Sequence, residues 1–207
     1  MLRYSIGRKE NTMKKIPTLF KRVYTDGRVT GITDEVNPGL EWVLAGEGQA
    51  TVKIDGTCCA VIDGRFYRRY DAKKGKTPPP GAIPCSDPDP VTCHWPHWLP
   101  VDPNDPGSNW HLAAYYNSGG TALRDGTYEA VGPHFQSNPY ALNYDFLEKH
   151  GKRIVKDAPR DFEGLREYLG THNFEGLVFW KDGEPRCKIK RSDFGFKWPD
   201  KTLRVEF

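Results

Sequence analysis

The sequence predicts an α+β protein built of mostly antiparallel sheets with flanking helices. Two observations carry that expectation. β-prone runs are joined by Asp-Gly turns, and the helical patterns between them are few and short. A chain of 207 residues is long enough for one domain with a real core, expected over residues 13–207. Residues 1–12 have no periodic pattern and precede Met13-Lys14-Lys15, so they read as a flexible N-terminal extension.

The elements run in order along the chain. Thr51-Val52-Lys53 is a β-prone run that stops at Asp55-Gly56. Asp63-Gly64 separates the runs Thr57 to Ile62 and Arg65 to Tyr70, and Asp182-Gly183 separates Phe174 to Trp180 from Arg186 to Lys190. Asp-Gly between such runs signals a tight hairpin, because a type I′ turn needs positive φ at both central positions. Asp125-Gly126 leads into the strand Thr127 to Val131. Thr77 to Pro106 is rich in proline, which lacks an N–H and fixes φ, so it is expected as a long ordered insertion with no central strand. Helices are expected over Trp110 to Asn117, ended by Gly119-Gly120, and over Asp161 to Leu169, capped by Asp161 and stopped by Gly170. A shorter one is expected from Leu142 to His150.

Composition narrows the function classes. Aromatic residues make up 13% of the chain and mean hydropathy is −0.69, which fits a packed core under a polar surface. No run approaches the ~20 apolar residues of a membrane span, and no signal-peptide core is visible. A cytoplasmic protein without a membrane or an obligate protein partner is expected. Five cysteines, two of them adjacent at Cys58 and Cys59, point to reduced thiols rather than a disulfide framework. Cys85, Cys93, His94 and His97 are chemically suitable zinc ligands, but they lack the paired spacings of a structural finger.

The net charge of +3 is modest, yet the basic residues are clustered. Arg65, Arg68, Arg69, Lys73, Lys74 and Lys76 interleave with Phe66, Tyr67 and Tyr70. Lys188, Lys190 and Arg191 precede Phe194, Phe196 and Trp198. Cations interleaved with aromatics suit a phosphate-binding surface, so Arg65, Arg68, Lys73, Lys74 and Arg191 are candidate phosphate contacts.

Lys53-Ile54-Asp55-Gly56 alone is a weak signal. It gains force from four segments further along the chain: the Arg65 to Tyr70 run, Asp125-Gly126-Thr127-Tyr128-Glu129, Phe174-Glu175-Gly176, and Lys188-Ile189-Lys190. This ordered set resembles the covalent nucleotidyltransferase superfamily of ATP-dependent ligases and mRNA-capping enzymes. Lys53 matches the nucleophile of motif I, Arg69 (with Arg68 close behind) the arginine of motif Ia, and Glu129 the glutamate of motif III. Glu175 matches motif IV, and Lys188 and Lys190 match the two lysines of motif V. Lys53 to Cys59, Gly132-Pro133, Asn138-Pro139, His150-Gly151 and Trp198-Pro199 are similar to a small group of ATP-dependent RNA ligases of bacteria, phages and vertebrates.

The resemblance implies a nucleotidyltransferase (ATP-grasp-like) domain, with ATP as co-substrate and Mg²⁺ or Mn²⁺ as cofactor. The implied substrate is RNA with 5′-phosphate and 3′-hydroxyl ends, which makes Arg65, Arg68, Lys73, Lys74 and Arg191 the candidate RNA contacts. Lys53, Lys188 and Lys190 would be catalytic and Glu175 would hold the metal. Val52, Lys53, Asp55, Arg69, Glu129, Glu175, Lys188 and Lys190 would bind ATP. Phe135, Tyr140, Tyr144 and Phe146 all come after motif III at plausible distances for stacking on adenine. The chain stops at Phe207, soon after motif V, so no C-terminal OB-fold is expected. A DNA ligase, a GTP-dependent capping-type enzyme and an inactive RNA-binding relative are the alternatives.

Hairpin counting supplies a geometric expectation. With a two-residue Asp182-Gly183 loop, Lys181 faces Glu184, Leu177 faces Lys188 and Glu175 faces Lys190. The acid and both lysines then project from one face. Pro185 is expected to leave that register intact.

Overall fold

The computed structural model describes residues 15–90 and 93–207. The extension expected over residues 1–12 lies outside the described residues. The fold is α+β with mostly antiparallel sheets and few helices, as the Asp-Gly punctuation predicts. By its internal packing the described chain divides into two compact units. One holds Thr57–Phe135 and Tyr144–Lys149, the other Lys15–Gly56, Gln136–Asn143 and His150–Phe207.

The first unit is built on a six-stranded antiparallel sheet. Its strands are β4 (Thr57–Ile62), β5 (Arg65–Ala72), β6 (Ile83–Pro84), β7 (Trp95–Pro100), β8 (Gly126–Val131) and β9 (Phe146–Lys149), in the spatial order β6-β7-β5-β4-β8-β9. Strand alternation sends Cys59, Val61, Phe66, Tyr128, Ala130 and Leu147 to one face. There they pack with Ala114 and Tyr115 of helix α2 (Asn109–Asn117). Ala60, Tyr67, Trp98 and Cys85 form a second cluster, with Cys58 and Ile62 packed against it.

Two expectations change here. β7 is an interior strand within the proline-rich stretch, pairing with β5 from Tyr67↔Pro100 to Ala72↔Trp95. Pro96 turns its carbonyl toward Cys85 N at 2.9 Å, so the N–H it lacks also faces the two-residue β6 and the longer β5 ladder survives. The helix expected over Leu142 to His150 is instead β9, pairing with β8 through Glu129↔Glu148 and Val131↔Phe146. Four residues of weak pattern adopt the conformation that satisfies a neighbouring strand edge, because tertiary context overrides local propensity.

The second unit carries a three-stranded antiparallel sheet ordered β11-β10-β3, from β3 (Gln49–Lys53), β10 (Gly176–Lys181) and β11 (Glu184–Lys190). Its buried face supplies Ala50, Leu177, Phe179, Cys187 and Ile189 to a core shared with Leu165 and Leu169 of helix α3 (Phe162–Thr171). Each fully buried Leu, Ile or Phe there contributes roughly 1.5–3 kcal/mol. Asp161 caps α3 by accepting from Gly164 N at 2.8 Å. Gly170 does not stop the helix, which runs one residue further to Thr171.

A hairpin of β1 (Phe20–Thr25) and β2 (Arg28–Val36) and a one-turn helix α1 (Glu41–Leu44) complete this unit. That hairpin turns at Asp26-Gly27, with φ of 50° and 73°, the same chemistry as the other Asp-Gly hairpins. Its strands are largely exposed, so no apolar alternation marks them in the sequence.

Candidate active site

Lys53 is the last residue of β3 and pairs with Gly176, the first residue of β10. Gly176 pairs on its other side with Lys190, the last residue of β11. One rung of the sheet therefore reads Lys53, Gly176, Lys190. The next rung on the same face is Thr51, Val178, Lys188. All three lysines thus sit on the face opposite the core.

Glycine is required between the two terminal lysines. A Cβ at Gly176 would lie 2.1 Å from the carbonyl oxygen of Ile189 and 2.8 Å from Cα of Lys190. The strands approach too closely for any side chain there.

Glu175 precedes this rung. Its Oε2 accepts from Lys53 Nζ at 2.5 Å and its Oε1 from Lys190 Nζ at 2.5 Å. The Glu175 side chain is only 8% exposed, so the carboxylate is held between two ammonium groups with little help from water.

The expected register is corrected by one residue. Lys181 does face Glu184 and Trp180 faces Pro185, but Phe179 then faces Cys187. Arg186 is the extra residue of a β-bulge beside Pro185, a position where proline is tolerated because the ladder is already interrupted. Leu177 consequently turns into the core opposite Ile189, not toward Lys188. Glu175 meets the lysines because it sits just ahead of the Gly176 rung, not through a direct pairing with Lys190.

Lys188 is the perturbed cation of the group. Burial lowers its pKa from 10.5 to about 8, and Lys53, Lys190 and Arg22 add repulsion that Glu175 partly offsets. Its backbone is fixed on the outer side as well: Lys188 N donates to Pro17 O at 3.0 Å and Leu19 N donates to Lys188 O at 2.8 Å.

Other expected residues of this unit fall differently. Asp55 Oδ2 accepts the indole N–H of Trp198 at 2.8 Å, and Asp55 N donates to the Tyr140 hydroxyl at 2.7 Å. Val52 lies on the opposite face of β3 from Lys53 and packs against the core; it also lines a cavity of about 290 Å³ with Arg153, Tyr168 and Phe207. Arg191, expected on an RNA-facing surface, is 1% exposed. Its guanidinium donates to the carbonyls of Leu169, His172 and Lys197 and approaches Asp200, so it ties α3 to the segment after β11.

In the six-stranded unit, register separates the two candidate arginines. Cys58 pairs with Glu129 and Cys59 with Arg68, which puts Arg69 on the face of Glu129 and Arg68 on the other. The Cys58 thiol feels the same neighbours: burial and then Glu129 push it well above its usual range, while Arg69 pulls it down. Arg68 instead approaches Asp105 at 3.6 Å. Arg65 is an exposed residue of β5, and Lys73 and Lys74 are exposed just beyond that strand.

The same counting sorts the aromatic candidates. Phe146 shares the Glu129 face, Phe135 is buried in the cluster beneath α2, and Tyr144 is exposed. Tyr140 belongs to the other unit. Glu148 was not foreseen; it is buried directly opposite Glu129 on the same face. Reading β9 as a helix hid the alternation of Phe146 and Glu148 that could have found it.

Of the possible zinc ligands, Cys85 is buried beside Trp98, and His97 is buried with Nδ1 2.8 Å from the carbonyl of Trp95. Among the described residues no group of three His, Cys, Asp or Glu side chains gathers to hold a metal. No helix among them is long and apolar enough to cross a membrane.

No family model matches the chain. A curated protein, RNA ligase 1 of Rattus norvegicus, is 26% identical to it, over 72% of this chain and 68% of that protein. The chain is therefore similar to an RNA ligase across most of its length.

Proposed function

We propose that this protein is an ATP-dependent RNA ligase that joins 5′-phosphate and 3′-hydroxyl ends through a lysyl-AMP on Lys53. The observation that carries the reading is the Lys53–Gly176–Lys190 rung with Glu175 held between its two lysines. A nucleophilic lysine, two further cations on one sheet face and a desolvated carboxylate are the parts that attack on a triphosphate needs.

The neutral amine of Lys53 attacks the α-phosphorus of ATP. An N–P bond forms, the bond to the bridging oxygen breaks, and pyrophosphate leaves. Lys188 and Lys190 bind the phosphate oxygens and offset the charge that builds there. A 5′-phosphate oxygen of RNA then attacks the adenylyl phosphorus, the N–P bond breaks, and Lys53 recovers a proton. Finally the oxygen of a 3′-hydroxyl bonds to the activated 5′-phosphorus, its proton passes to solvent, the pyrophosphate P–O bond breaks and AMP departs.

Glu175 is the group that would hold Mg²⁺ or Mn²⁺. A single carboxylate beside lysines suits a cation that takes its remaining ligands from water and substrate phosphates. Such an ion supplies charge neutralisation at the triphosphate. Glu175 also pairs with Lys53, so drawing its carboxylate toward another cation would free the amine.

In the other unit, Arg69, Glu129 and Phe146 share one sheet face, the residue types that the resemblance assigns to the nucleoside. Phe146 is accordingly the candidate for stacking on adenine. Arg65, Lys73 and Lys74 remain the candidate RNA contacts.

Sealing assays test the substrate. The protein should join 5′-phosphorylated RNA ends with ATP. Joining only a nicked DNA duplex, or accepting GTP in place of ATP, would contradict the assignment.

A further inference from the structure

Two dipeptides, Asn138-Pro139 and Trp198-Pro199, have no part in the chemistry above. Both lie in the same unit as Lys53, and both lead to Asp55.

From one side, Trp198 donates its indole N–H to Asp55 Oδ2 at 2.8 Å across 143 positions of sequence. From another, Tyr140 accepts the backbone N–H of Asp55 through its hydroxyl at 2.7 Å. The two rings are neighbours, with centroids 5.7 Å apart. Tyr140 also packs on Phe207 at 4.6 Å, and Arg153 lies over the Phe207 ring at 3.9 Å. The residue two places beyond the nucleophile is thereby held at its side chain and its backbone by an aromatic group gathered from distant segments.

The loop that delivers Tyr140 is a second, separate observation. Gln136, Ser137, Asn138 and Ala141 all adopt positive φ, between 45° and 58°, without being glycine. Each such residue is strained, and runs of them persist only where the surroundings over-determine them. Asn138 locks the loop from within: its amide donates to Leu142 O and its carbonyl oxygen accepts from Leu142 N, both at 2.9 Å. Strain concentrated in a loop whose central side chain bonds to the backbone of Asp55 marks that contact as one the fold preserves.

We infer that Trp198 and Tyr140 are positioning residues that clamp Asp55, and with it the segment carrying the nucleophile Lys53, in the geometry needed for nucleotidyl transfer. This rests on the ligase reading given above. A freed Asp55 lets the strand end beyond Lys53 move, and a misplacement of about 1 Å near reacting atoms costs on the order of 100-fold in rate.

The test is a double-mutant cycle on RNA sealing. Trp198→Phe keeps a ring and removes the N–H, and it should lower kcat about 10- to 100-fold with KM for ATP changed less than about twofold. In an Asp55→Ala background the same substitution should cost less than about twofold, because the partner is already gone. Trp198→His restores a ring N–H and should recover part of the rate. Equal losses in both backgrounds, or a histidine variant as slow as phenylalanine, would overturn the clamp. A wild-type protein that seals no RNA defeats the ligase reading instead. The clamp is then judged by the ¹H–¹⁵N indole resonance of Trp198, assigned by its loss in Trp198→Phe: a shift on Asp55→Ala supports it, and an unmoved resonance overturns it.

Discussion

Lys53 Nζ donates to Glu175 Oε2 at 2.5 Å, joining residues 122 positions apart at the end of one sheet. The carboxylate both compensates the ammonium and restrains it. Glu175→Gln keeps the shape and removes the charge. It should slow lysine adenylylation by about 10²-fold or more while changing the melting temperature by only a few degrees. Single-turnover labelling at varied Mg²⁺ checks this, and wild-type rates with unchanged metal dependence would remove Glu175 from the site.

Lys188 gives a pH dependence whose sign is set by its lowered pKa of about 8. A lysine must be charged to bind phosphate, so KM for ATP should rise as pH passes above about 8. Between about pH 7 and 9 the increase should be about threefold to tenfold, and Lys188→Met should abolish the trend. Stability moves the other way. Between about 8 and 10.5 the unfolded chain holds more of this proton than the folded one, so the group's unfavourable contribution is full below pH 8 and fades above it. Lys188→Met should therefore be stabilising near neutral pH, with the advantage shrinking toward about pH 10 in thermal melts.

Gly176→Ala should be destabilising as well as inactivating. The added methyl meets backbone at 2.1 Å and 2.8 Å, so β10 and β11 must separate. A cost of about 1–3 kcal/mol is expected, read as a drop of roughly 2–10 °C in melting temperature. Thermal stability close to wild type would contradict the close approach of these strands.

Arg69 and Arg68 should separate cleanly. Arg69 shares the Glu129 face and Arg68 does not. Arg69→Ala should weaken lysine labelling by ATP at least about tenfold, whereas Arg68→Ala should leave it within about threefold. The reverse pattern would sink the register argument for the nucleoside face.

The parts most readable in the sequence were those with local signals. Asp63-Gly64 and Asp182-Gly183 announced their hairpins, and Asp161 announced the start of α3. Hairpin counting expected Glu175, Lys188 and Lys190 on one face; the two lysines do share a face, but Glu175 reaches Lys190, and also Lys53, from just ahead of the Gly176 rung. Hairpin counting cannot see a bulge, and the extra Arg186 shifted the partners by one while the glycine rung still gathered the charges. Arg191 was misjudged because a basic run on paper does not reveal which guanidinium finds buried carbonyls. The contacts of Tyr140 and Trp198 with Asp55 had no sequence signature, since they join segments 85 and 143 positions apart, the first through a loop of unusual backbone.

The central claim is that Lys53 forms a covalent bond to AMP. Incubation with Mg²⁺ and α-labelled ATP, followed by denaturing electrophoresis and peptide mapping, tests it most directly. Label on the Lys53 peptide, absent in Lys53→Ala and not obtained from GTP, is the predicted result. A wild-type protein that takes no label from ATP, or a Lys53→Ala variant that is labelled as well as wild type, would contradict it.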